Sequence, residues 1–202
     1  SAGHDRLPAD RAHHDECGAM TLALRYQAHS EIGLVRKNNQ DSAYVSPTML
    51  AVADGMGGAA AGDLASAVAI SALKAADGEH VGEEMLTAFA SAIEHAAEQI
   101  RDLVESDPAL DGMGSTVCGV MFDGTHLGVA NIGDSRAYRY REGRLQRITR
   151  DHSWVQTLVD EGRITEAEAL EHPHRSFILR VINGAPQHQP DLVLVGAPLV
   201  HP

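Results

Sequence analysis

The sequence predicts an α+β protein built on antiparallel strands. Strand-like runs occur towards both ends of the chain, two amphipathic helical stretches lie between them, and the later runs are joined by dipeptides suited to tight hairpins rather than by crossover helices.

Taken in order, Leu22, Leu24, Tyr26 and Ala28 alternate with more polar neighbours and predict a half-buried strand. Residues 49–53 are a short apolar run ending at Asp54, which predicts a buried strand with an acid at its tip. Over residues 62–76, Leu64, Val68 and Ala72 recur at helical spacing. A longer helix follows, with Met85, Phe89, Ile93, Ala96, Ile100 and Leu103 three or four residues apart, and Asp107-Pro108 ends it. The period then shortens. Residues 115–122 and 126–132 read as strands about Asp123-Gly124, a dipeptide suited to a type I′ hairpin, and residues 136–141 and 144–149 flank Glu142-Gly143 in the same manner. These four strands predict an antiparallel meander. Two short helical patterns occupy 155–161 and 165–171, and a last strand covers 191–195. Each long helix has one apolar stripe, so each must cover a sheet face.

The 202 residues fit one domain, and the 44% hydrophobic fraction is ordinary for a globular chain. Residues 1–19 are polar and aperiodic and read as a disordered leader or expression remnant, with His4, His13 and His14 leaving a metal-binding tract open; residues 20–202 form the folded domain. The 16 Lys and Arg against 28 Asp and Glu give a net charge of −12, which argues against a general nucleic-acid or anionic-membrane binder. No stretch approaches the roughly 18–20 apolar residues of a membrane span. The start of the sequence lacks the apolar segment of a secretory signal. Of the two cysteines, Cys17 is in the polar leader and Cys118 in an apolar strand-like run. Reduced thiols in a cytoplasmic protein are the plain reading, with Cys118 a small core residue.

Three segments carry chemistry. Asp54-Gly55-Met56-Gly57-Gly58 follows a buried strand and precedes a helix. A carboxylate at a strand tip reaches a cleft, and glycines beside it let main-chain oxygens approach a hard cation such as Mg²⁺ or Mn²⁺. Read alone, an acid followed by glycine is also ordinary turn chemistry. Ahead of it, Ser30, Gly33, Val35, Arg36, Asn39 and Asp41 combine a guanidinium able to grip phosphate bidentately with polar acceptors; the bland alternative is a solvated basic stretch before a turn. Gly133-Asp134-Ser135-Arg136 places another acid between two strands, where a hairpin turn is again the alternative.

Together with Gly112-Met113-Gly114-Ser115-Thr116 and the stretch from Thr149 through His172-Pro173-His174-Arg175-Ser176, these segments resemble the PPM (type 2C) metal-dependent serine/threonine protein phosphatases in their bacterial form. The resemblance runs from about Leu22 to Val195. It implies two antiparallel β-sheets packed as a sandwich flanked by helices, with a binuclear Mg or Mn centre at one end and a third, weaker metal in bacterial members. On that pattern Asp54 bridges two ions, the Gly55 carbonyl binds one, and Asp134 matches the acid of the third. Asp41 orients metal-bound water, Arg36 holds the substrate phosphate, and residues 152–176 form a flap that tunes access. The implied reaction is hydrolysis of phosphoserine and phosphothreonine by metal-activated water, a reaction that needs up to about 10²¹-fold acceleration. The implied partners are phosphorylated proteins, including a serine/threonine kinase and its substrates.

The sequence departs from the family in two places. Ala59 follows Gly58 where many bacterial relatives carry His. His152, His172 and His174 are the available substitutes as proton donor, although a lone His is more often structural or exposed. The family also continues with a strand carrying an Asp-Gly pair and a late Gly-rich segment carrying Asp-Asn, both metal-binding, and neither follows Asp191. The expectation is a C-terminally truncated domain lacking its final strands, either most of an active phosphatase or a non-catalytic relative acting as a binding module. A hydrolase with an Asp nucleophile would want D-x-D on a parallel sheet, whereas Val52 stands two residues before Asp54.

Overall fold

The apolar run at 49–53 becomes the middle of an antiparallel sheet in the computed structural model, which describes residues 22–34, 38–185 and 189–196. Strand β1 (Asp41–Val45) turns through residues 46–48 into β2 (Met49–Met56). The two-residue β3 (Gly114–Ser115) pairs with the tip of β2, and β4 (Val117–Phe122) pairs along the rest of it. Next come β5 (His126–Ile132) and β8 (Asp191–Gly196), giving the order β1-β2-β4-β5-β8 with every pairing antiparallel. The α+β class is therefore as the sequence predicts.

Alternation along β2 decides which face is covered. Met49, Ala51 and Ala53 are buried, while Val52 is 47% exposed on the opposite face. Helices α1 (Ala59–Ala75) and α2 (Glu83–Ser106) lie on the buried side. Ala61, Ala65, Ala69 and Ala72 form a small-residue stripe on α1, so that helix sits close to the strands. Met85, Phe89, Ile93 and Ile100 supply the bulk from α2, each large side chain contributing about 1.5–3 kcal/mol when fully buried. A 3₁₀ turn (Pro108–Leu110) follows, with Asp107 accepting a hydrogen bond from the Ala109 amide. Among the described residues no helix is long and apolar enough to cross a membrane.

The second sheet is a hairpin of β6 (Tyr138–Arg141) and β7 (Arg144–Arg147), turning on Glu142 and Gly143 with φ of 51° and 77°, as a type I′ turn requires. Helix α3 (Trp154–Asp160) is capped by the Ser153 hydroxyl, and α4 (Glu166–Glu171) opens with a reciprocal Thr165–Glu168 capping box.

Four sequence expectations need correction. Residues 22–28 form no strand: alternation defines a face, but a strand also needs a pairing edge, and β1 pairs only with β2 among the described residues. The meander divides into two hairpins, because β8 rather than β6 lies beside β5. The β4–β5 turn is centred one residue later than Asp123-Gly124, since the Asp123 amide already donates to the His126 carbonyl at 3.3 Å. Helix α1 begins three residues earlier, at Ala59 rather than Gly62. The leader, residues 1–19, lies outside the described residues.

Candidate active site

Strand register builds the site. Asp41 and Asp54 are Cα partners on β1 and β2. Directly opposed residues of an antiparallel pair project to the same face, so two carboxylates share one patch of sheet, on the side away from α1 and α2. Both residues are exposed. The backbone beneath Asp54 is fixed on the β3–β4 side. Its carbonyl accepts the Thr116 amide at 2.9 Å, and its amide donates to Thr116 Oγ1 at 3.0 Å.

The next residue must be glycine. A Cβ on Gly55 would lie 2.0 Å from the Gly62 carbonyl oxygen and 3.0 Å from that of Gln40. The first turn of α1 thus docks straight onto the strand tip. Gln40 joins the two, its carbonyl accepting the Gly55 amide at 3.2 Å and its Nε2 donating to the Gly58 carbonyl at 2.6 Å.

Upstream, Asn39 Nδ2 donates to Ser30 Oγ at 2.7 Å and Asn39 Oδ1 accepts the Asp41 amide at 3.0 Å. Those contacts bring together three residues of the Ser30-to-Asp41 motif. Arg36 lies outside the described residues.

Asp134 follows the end of β5, at the same end of the sheet. Its carboxyl is held above the usual range, first by burial and then by the negative charge of Asp151, with its own amide and Arg136 opposing. Arg136 is committed to Asp151, with Nε 3.0 Å from both carboxylate oxygens. That pairing raises the guanidinium pKa further, against a smaller desolvation effect. Ser135 Oγ sits 2.7 Å from Thr116 Oγ1, which ties the Asp134 segment to the Asp54 corner.

His152 is 2% exposed. Its Nδ1 accepts the Gly133 amide at 3.2 Å, which places the proton on Nε2, 3.1 Å from Asp191 Oδ2 but poorly aligned for a hydrogen bond. Burial lowers its pKa, with Asp191 pulling the other way. His172 is half-buried and His174 exposed, and the His174 ring stacks on Phe177 at 4.7 Å.

The donor set suits a hard cation in kind, offering carboxylates and a nearby backbone carbonyl. Opposed carboxylates repel, and a shared cation offsets that repulsion. In number the set is thin: among the described residues no three His, Cys, Asp or Glu side chains come together as a metal-holding group.

Sequence reasoning named the acids but assigned no role to Thr116, Ser135, Gln40 or Asp151. Thr116 and Ser135 each fall inside a segment that the sequence singles out, which was the available signal. Their mutual approach across 19 residues was not legible.

The family described as protein phosphatase 2C matches residues 21–172. The serine/threonine protein phosphatase PstP of Mycobacterium tuberculosis is 49% identical over 165 residues, covering 82% of this chain and 32% of that protein. The serine/threonine phosphatase stp of Listeria welshimeri is 33% identical over 168 residues, covering 79% of this chain and 67% of that protein. A crystal structure of M. tuberculosis PstP superposes with a TM-score of 0.83 at 47% identity, over 88% of this chain and 75% of that one. The PstP catalytic domain in complex with two manganese ions gives 0.79 at 44% identity, over 87% and 74%. The chain spans about a third of the length of the mycobacterial proteins it matches (32%).

Proposed function

Because the chain belongs to the protein phosphatase 2C family, we propose that it hydrolyses phosphoserine and phosphothreonine in phosphorylated proteins, among them a serine/threonine kinase and its substrates. The observation that carries this reading is the opposed Asp41–Asp54 pair at a strand tip whose backbone is fixed from both sides. Asp54, the Gly55 carbonyl and Asp134 would hold the divalent cations, Mn²⁺ or Mg²⁺, in keeping with the two manganese ions of the PstP catalytic domain. When bound, such ions supply an activated water near neutral pH and neutralise the phosphoryl oxygens. Asp41 orients that water, and Arg36 grips the phosphate through paired N–H donors. Cys118 is buried with its thiol pKa pushed up to about 11 by desolvation, so it offers no thiolate nucleophile. The setting proposed is the cytoplasm, which suits that unpaired thiol.

A second reading, a non-catalytic member that binds partners, is favoured by the thin donor set among the described residues. One experiment separates the two. In a chain extended to the length of the solved relatives, Asp54→Asn should lower Mn²⁺-dependent hydrolysis of a phosphothreonine peptide at least about 100-fold with Tm nearly unchanged. Wild-type turnover in the variant would refute the role of Asp54. Absence of turnover in the extended parent would favour the binding module.

A further inference from the structure

The β-ladder is altered where Asp54 meets its cross-strand neighbour. Val52 pairs with Cys118 and Gly55 with Ser115, so Asp54 stands opposite Thr116. An antiparallel hydrogen-bonded pair normally exchanges two backbone bonds. One is present, from the Thr116 amide to the Asp54 carbonyl at 2.9 Å. The other is replaced: the Asp54 amide donates to the Thr116 hydroxyl at 3.0 Å, while the Thr116 carbonyl receives the Ser115 hydroxyl at 2.8 Å. β3 and β4 are separate strands at this point.

The same side chain reaches the Asp134 segment on both sides. Thr116 is fully buried. Its Oγ1 lies 2.7 Å from Ser135 Oγ, and a Cβ on Gly133, whose φ is 104°, would fall 2.5 Å from Thr116 Cγ2. A hydroxyl with one proton and two lone pairs can accept the Asp54 amide and bond Ser135 at once. Valine would keep the packing and lose both bonds, and serine would keep both bonds.

We propose that Thr116 is a positioning residue, whose hydroxyl fixes the backbone of Asp54 relative to the Asp134 segment and so sets the spacing of two acids, one on β2 and one in the loop after β5. Its consequence for metal rests on the reading of Asp54 and Asp134 as cation-holding groups; the clamp itself does not.

Amide hydrogen exchange of the metal-free chain, followed by NMR, tests the clamp. In Thr116→Val the Asp54 amide should exchange about two- to tenfold faster, the range expected for loss of one hydrogen bond, and Thr116→Ser should restore the native rate. Mn²⁺ binding, read from the free-ion EPR signal, should weaken by a similar factor in the valine variant and recover in the serine variant. Ser135→Ala leaves the Asp54 bond intact but should speed exchange at Gly133 and Asp134, which keeps the proposal testable if the valine variant fails to fold. Native Asp54 exchange in Thr116→Val, a serine variant as impaired as the valine one, or unchanged Gly133 and Asp134 amides in Ser135→Ala would each overturn it. If the parent chain binds no Mn²⁺, the metal reading fails, and the exchange data still decide the clamp.

Discussion

At the end of the sheet remote from Asp54, one carboxylate organises a turn and the start of a helix together. Asp123 Oδ1 accepts the amides of Thr125 at 2.8 Å and His126 at 2.6 Å and the Thr125 hydroxyl at 2.9 Å, while Oδ2 accepts the Gly82 amide at 2.9 Å, just before α2. The side chain is 1% exposed. Burial alone would raise its pKa, but these donors outweigh it and hold the carboxyl far below the usual range. A carboxyl more acidic in the folded than in the unfolded chain stabilises the fold at every pH above its unfolded value near 4. That stability drains away as pH falls from there towards the folded value. Acid unfolding followed by circular dichroism should therefore show a loss beginning near pH 4 that Asp123→Asn lacks. At pH 7 the same variant should be less stable by about 1–3 kcal/mol, because its amide must turn an N–H towards either Gly82 or the turn donors. An unchanged urea midpoint would mean that the carboxylate is dispensable. Phosphatase readouts should not move, since Asp123 belongs to the opposite end of β4.

Among the elements, the joint between α2 and the sheet depends on glycines in the strands. Phe89 is fully buried, and a Cβ on Gly119 of β4 would fall 2.7 Å from its ring; a Cβ on Gly128 of β5 would meet Met85 at 2.8 Å. Helix and strands approach that closely only because those side chains are missing. Gly119→Ala should cost about 1–3 kcal/mol of stability through overpacking, and combining it with Phe89→Leu should cost less than the sum of the two single changes. Urea unfolding of the four chains in the cycle measures this, and strict additivity would show that the ring and the strand do not press on each other. The helices themselves were legible because Met85, Phe89, Ile93 and Ile100 repeat at helical period. Sheet order was not. Glu142-Gly143 specifies a hairpin but says nothing about which strand lies beside it. The slot next to β5 goes to β8, more than fifty residues on, through pairings from Asn131–Asp191 to His126–Gly196. Residues 22–28 show the converse: alternation without a partner strand gave a false positive.

For the whole molecule, Asp54 and Asp134 stand out in the sequence as candidates because each lies beside a glycine at or just past a strand end, whereas the hydroxyls around them do not, since hydrogen bonds such as Thr116–Ser135 exist only after the strands have assembled. How much metal this chain holds is a matter of charge. Two divalent cations about 4 Å apart repel by on the order of 15 kcal/mol even at an effective dielectric of about 20, so a binuclear centre needs several carboxylates around it. Asp54, the Gly55 carbonyl and Asp134 supply two negative charges, and Asp41 adds a third one position across the ladder. No three acidic or imidazole side chains converge among the described residues, so each cation would keep most of its water, which Mg²⁺ in particular gives up reluctantly. The 202-residue chain should accordingly bind Mn²⁺ more weakly than about 0.1 mM. It should also turn over a phosphothreonine peptide far more slowly than a chain extended to the length of the solved relatives. Calorimetric titration with Mn²⁺ beside a phosphate-release assay on both chains measures the difference. Micromolar binding of two ions with robust turnover by the 202-residue chain would overturn this expectation, and would require further oxygen donors from residues outside the described segments.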